Sequence, residues 1–186
     1  MARRILILFA HPAIRRSRFN RVLIETARMV EGVTVHDLYE TYPDFAVDPD
    51  REQALLLEHD VIVAQHPLFW YSAPALLKEW LDLVLEHGWA YGREGHRLDG
   101  KLWMQAVTAG GSERAYSPDG LNHWSIDELL RPFEATANLC RMVWQPPFVL
   151  HGAHLADAQE IDRAARAYQA RLTTLRDGTP VRAVTP

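Results

Sequence analysis

An α/β fold, with a parallel sheet covered by helices on both faces, is what this sequence predicts, on two observations. Apolar runs of strand length alternate with segments of helical period along the whole chain. Three of those runs, Ile5–Ala10, Val61–His66 and Leu102–Ala109, are almost unbroken in their apolar character, as strands buried on both faces must be. Right-handed crossovers between parallel strands then leave the doubly wound strand orders as the candidates.

The first strand, Ile5–Ala10, leads into a helix marked by Phe19, Val22, Leu23, Ala27 and Val30. The second strand, Val33–Leu38, alternates polar and apolar residues and so belongs at an edge. The third, Val61–His66, is followed by the strongest helical pattern, Ala73, Leu76, Leu77, Trp80, Leu81 and Val84, with Ser72 expected as cap and Pro74 in the first turn. After the fourth strand, "SIDE" (Ser125–Glu128) has the form of a capping box, and Pro132 should kink or restart that helix. The fifth strand, Val143–Leu150, carries Pro146-Pro147 and fits an edge or a bulge. "DAQE" (Asp157–Glu160) opens a final helix with Ile161, Ala164, Ala165, Tyr168, Leu172 and Leu175 on one face. One domain over residues 1–176 is expected, with 177–186 a flexible tail.

A net charge of −4 speaks against nucleic acid as a partner; basic character is local, at Arg15, Arg16 and Arg18. The lone Cys140 rules out a disulfide framework and fits a cytoplasmic protein, with Cys140 in the core. The N-terminal apolar run is too short for a signal segment or a membrane span, so any membrane association has to go through a partner.

In doubly wound sheets ligands bind beyond the carboxyl ends of the strands. Three loops occupy those positions. In the first, His11 stands at a strand tip, and Ser17 can cap the helix carrying Asn20, whose first-turn N–H groups would hold an anion such as a phosphate monoester. A zinc reading of Ala10-His11-Pro12 fails, because Ala13 and Ile14 stand where carboxylate ligands would be needed. The second loop, "HPLFWYSAP", clusters Phe69, Trp70 and Tyr71 as a wall for a flat heteroaromatic ligand. The third, "TAGGSERAY", has Gly110-Gly111, which would let backbone amides approach a ligand, and Tyr116 as a phenol donor. His151-x-x-His154 has metal-ligand spacing but no acidic or thiol companion, and no metal is expected there. A phosphate pocket, an aromatic ledge and a Gly-Gly pair describe a flavin mononucleotide site better than a nucleoside triphosphate site, which would want a Walker lysine.

The segments "FAHP…S..N", "HPLFWYSAPALLKEWLDLVLEHGWAYG" and "AVTAGGSERAYS" resemble, in order and spacing, the NAD(P)H:quinone oxidoreductase family of flavodoxin-like proteins. "LYETYPDF", "HGWAYG" and "PPF" resemble its short bacterial branch, the ancillary proteins of glutathione-regulated potassium-efflux systems. The resemblance implies a five-stranded parallel sheet in order 2-1-3-4-5, a homodimer and one non-covalent flavin per subunit; the length of this chain favours FMN over FAD. It implies flavin contacts from His11, Ser17, Arg18, Phe19 and Asn20, from Pro67, Leu68, Phe69 and Trp70, and from Thr108, Ala109, Gly110 and Gly111. It further implies a ping-pong cycle in which NAD(P)H delivers hydride to flavin N5, leaves, and is replaced by a quinone. Gly110, Gly111 and Tyr116 would then stabilise the reduced ring. The family's histidine six residues after the tyrosine falls on Asn122, with His123 one place later. The branch likeness also implies a potassium-efflux antiporter as partner, which would hold the protein against the inner membrane.

Overall fold

The computed structural model describes residues 2–178. Strand β1 (Ile5–Phe9) is flanked by β2 (Val33–Asp37) and β3 (Val61–Pro67), and β4 (Leu102–Thr108) lies beyond β3, all parallel. The order is β2-β1-β3-β4-β5, with β2 at the edge as its alternation predicts. The expected fifth strand is two short ones, β5 (Val143–Trp144) and β6 (Phe148–Leu150), each parallel to β4. Pro146 and Pro147 have no N–H to give a ladder, so the segment leaves the sheet at Gln145 and rejoins it two prolines later.

Alternate residues divide between two cores. Leu6, Leu8, Ala10, Ile62, Ala64, Trp103 and Val107 face α2 (Leu38–Thr41), α3 (Pro49–Leu57), α4 (Ala75–Val84), α5 (Ile126–Leu129) and α6 (Arg131–Leu139). Ile5, Ile7, Phe9, Val61, Val63 and Met104 face α1 (Arg18–Arg28) and α7 (Ala158–Asp177). This is period-2 geometry with both faces apolar. Cys140 is buried in the first core.

The capping boxes at Ser125 and Asp157 form as their spacing predicts, and the chain restarts as α6 at Pro132. Helix α7 runs through Asp177 to a left-handed Gly178 cap, so Asp177 belongs to the helix rather than to a tail; residues 179–186 lie outside the described part. Ser72 does not cap α4, which begins after Pro74 without a side-chain cap. The backbone of Ser72 is committed to a tight hairpin, exchanging both bonds with Phe69 at 3.0 and 3.1 Å. Helix α3 is an element the apolar pattern did not reveal; its signal was Asp48-Pro49, a cap followed by a proline in the first turn.

Candidate functional site

A cavity of about 500 Å³ opens at the carboxyl edge of the sheet, where β1, β3 and β4 end. Its size suits a coenzyme-sized ligand. From the first loop, His11, Ser17 and Arg18 line it; from the second, Pro67, Leu68 and Phe69; from the third, Thr108, Gly110, Gly111 and Tyr116. The loops are joined directly. The His11 and Phe69 rings meet edge to face at 6.3 Å, and the Leu68 N–H donates to the Thr108 carbonyl at 2.8 Å.

At one end the wall offers donors. His11 Nδ1 accepts from the Ala13 N–H at 3.0 Å, so the neutral ring carries its proton on Nε2. Burial holds this histidine below its usual range, against a smaller raising effect from its own backbone, which favours that neutral donor form. Ser17 Oγ accepts from the Asn20 N–H and from Asn20 Nδ2, both at 3.2 Å, so its hydroxyl hydrogen is free to turn elsewhere. Arg16 and Arg18 add guanidinium groups, and the lining contains no carboxylate. Such a donor set, at the start of α1, fits a phosphate.

Asn20 itself is fully buried and outside the cavity wall. Its Nδ2 donates to Thr108 Oγ1 at 2.8 Å, its Oδ1 accepts from Gln65 Nε2 at 3.2 Å, and Gln65 Oε1 accepts from the Tyr168 hydroxyl at 2.9 Å. This chain of amides and hydroxyls ties α1, β3, β4 and α7 together under the site and fixes two of its lining hydroxyls, Ser17 and Thr108. Phe19 is also absent from the wall; it packs with Ala156, Ile161 and Ala164 on the α7 side. Ala109 is buried, its N–H taken by the Leu150 carbonyl.

Trp70 lies outside the wall as well, 93% exposed. Trp70 and Tyr71 are the two central residues of the Phe69–Ser72 hairpin, at φ +48° and +62°. Two positive φ values in succession match a type I′ turn, which throws the tip residues outward, so only Phe69 of the three expected aromatics reaches the cavity. Tyr71 donates instead to Asn122 Oδ1 at 3.2 Å.

Sequence reasoning missed a fourth wall. The segment after β6 is stitched to the Gly-Gly loop: Ala109 N–H to Leu150, Ala153 N–H to Ala109 and Gly152 N–H to Gly111, at 2.8 to 3.0 Å. It brings Ala153 and His154 to the cavity, joined by Ala13 and Arg16 from the first loop. The two glycines leave room for these neighbours. A Cβ at Gly110 would come 2.9 Å from His154 Nε2, and one at Gly111 would come 3.1 Å from Tyr116 Cε2. His154 had been visible only as half of a spaced histidine pair; among the described residues no three His, Cys, Asp or Glu side chains are grouped to hold a metal. His123 sits away from the wall, at φ +60° with Nδ1 3.4 Å from the Pro118 carbonyl. No helix among the described residues is long and apolar enough to cross a membrane.

Known proteins carry the same arrangement of chain. A glutathione-regulated potassium-efflux system ancillary protein, KefG of Escherichia coli K12, is 52% identical over 165 residues, 89% of this chain and 90% of the relative. The general stress protein 14 of Treponema denticola, solved in complex with FMN, superposes with a TM-score of 0.89 at 42% identity, over 92% of this chain and 99% of that one. An NADPH-quinone reductase from P. pentosaceus follows at 34% identity and a TM-score of 0.83, over 91% and 97%. A family model described as the flavodoxin-like fold matches residues 3–172. The chain therefore belongs to the flavodoxin-like family, in the company of the potassium-efflux ancillary proteins.

Proposed function

We propose that the protein is an FMN-dependent NAD(P)H:quinone oxidoreductase. One observation carries the reading: a donor-only phosphate end and a Phe69–Gly110–Gly111–Tyr116 end share one cavity at the sheet's carboxyl edge. Two similar structures, one solved in complex with FMN and one of an NADPH-quinone reductase, support it. When bound, the flavin supplies hydride transfer between NAD(P)H and the acceptor. The chain's own part is binding, orientation and charge. His11, Ser17, Arg16 and Arg18 hold the phosphate, while Pro67, Leu68 and Phe69 shield the ring from water. The amides of Gly110 and Gly111 and the Tyr116 hydroxyl meet negative charge that develops on reduction, each well-aimed donor worth about 3 kcal/mol.

The absorbance spectrum of the purified protein tests this. Oxidised-flavin bands after FMN addition should bleach with NAD(P)H and return with a quinone; a protein that stays colourless at saturating FMN refutes the reading.

A second role is favoured by the 52% identity to an efflux-system ancillary protein. In this role the protein works as a cytoplasmic homodimer docked on a potassium-efflux antiporter at the inner membrane. Co-purification with an antiporter expressed in the same cell would support it, and potassium efflux indifferent to deletion of this protein would contradict it.

A further inference from the structure

His151 belongs to no role described so far. Its ring lies against that of Tyr116, with centroids 5.8 Å apart and planes at 44°. Its Nδ1 is buried and has no hydrogen-bond partner. A buried polar atom left unpaired carries a cost that calls for an explanation. The same side chain also lines a second cavity, with Phe19, Leu155, Glu160 and Arg163, which opens to solvent on the α7 side. His151 thus stands between the phenol of the first cavity and a separate, water-accessible one.

The overall reaction has a requirement that this placement meets. NAD(P)H, one proton and a quinone give NAD(P)⁺ and a hydroquinone, so each turnover takes up one proton from solvent. A cavity filled by coenzyme and acceptor leaves little room for that proton to enter from the front.

We propose, resting on the reductase reading above, that His151 is the proton partner of Tyr116. The Tyr116 O–H bond breaks as an O–H bond forms on the quinone oxygen. His151 then returns a proton to the phenolate and is reloaded from water in the second cavity. His151 acts through Tyr116 and does not touch the substrate. Burial, with a smaller contribution from Tyr71, raises the Tyr116 phenol above its usual range, which keeps it loaded as a donor. The charged and titratable groups around His151 are Glu113 and Tyr116 on the Gly-Gly side, and Glu160 and Arg163 on α7. Burial lowers the affinity of the imidazole for a proton, and Glu113 partly restores it.

Two measurements decide the proposal. In the full chain without added flavin, the ring nitrogens of His151 are titrated by NMR in wild type and in Tyr116→Phe. The midpoint should move when the phenol is removed; an unmoved midpoint overturns the coupling. In the FMN-loaded protein, His151→Phe keeps a ring beside Tyr116 but carries no proton. It should retain bound flavin and bleaching by NAD(P)H, yet slow quinone reduction by about 10²-fold and lose the histidine limb of the pH profile. His151→Ala should be partly rescued by added imidazole. Full quinone reduction by His151→Phe with an unchanged pH profile overturns the proposal while leaving the reductase reading intact. A wild-type chain that binds no FMN sinks the reductase reading instead, and the flavin-free titration then decides the coupling alone.

Discussion

Glu52 is the one buried carboxylate among the described residues. It is fully buried, yet its two oxygens accept from His36 Nε2 at 2.8 Å, the Tyr42 hydroxyl at 2.6 Å and Trp80 Nε1 at 2.7 Å. Burial alone would raise its pKa; the three donors outweigh burial and hold the carboxyl below its usual range. Burial and the Glu52 bond push the Tyr42 phenol up to about 12. Glu52→Gln turns an amide NH₂ toward one of these donors and should cost about 3 kcal/mol of stability, read from urea unfolding. Tyr116 is the matching residue in the site. Tyr116→Phe should leave FMN bound, as judged by its absorbance, and lower turnover by about 10²-fold; full turnover would dismiss the phenol as a donor.

At the scale of elements, the Phe69–Ser72 hairpin carries a sequence ill suited to its backbone. Type I′ turns favour Asn-Gly, and bulky side chains at positive φ are strained, yet Trp70 and Tyr71 occupy both central places. Relief of that strain, less the chain entropy of a new glycine, should make Trp70-Tyr71→Asn-Gly more stable by about 1 kcal/mol in urea unfolding. A less stable variant would mean that Trp70 and Tyr71 gain from contacts beyond the exposed turn. The capping box of α7 supplies a simpler case. Asp157→Ala removes the Oδ1 acceptor of the Glu160 N–H, one of the two reciprocal bonds, and should cost about 1 kcal/mol, seen as a lower Tm.

For the whole molecule, acid sensitivity follows from the buried histidines. Burial lowers the pKa of His11, His59 and His66 from an ordinary value of 6.5. The unfolded chain therefore binds protons that the folded chain refuses. Stability from these groups is complete above about pH 6.5 and falls as the pH drops toward their folded values, by up to about 1.4 kcal/mol per pH unit for each group. Glu52 adds a loss of the same sign at lower pH, since a depressed carboxylate gives up its contribution as it protonates. Urea midpoints measured at pH 7, 6 and 5 should decrease in order; a flat profile would contradict the burial of these rings.

Local pattern and helix-end chemistry determined most of the fold. Unbroken apolar runs marked β1, β3 and β4, alternation put β2 at the edge, and Ser125 and Asp157 announced their helices, because these signals depend on residues a few positions apart. The three ligand-facing loops were legible for the same reason, since strand ends in a doubly wound sheet have a known side. Only the tertiary structure decided which side chains of those loops face the cavity. Asn20 turned inward to brace Ser17 and Thr108, Trp70 was carried outward by a two-residue turn, and His151 and His154 arrived from the segment after β6, some forty residues beyond the Gly-Gly loop. Side-chain direction at a turn, and contact between segments distant in sequence, depend on backbone hydrogen bonds that no local spacing encodes.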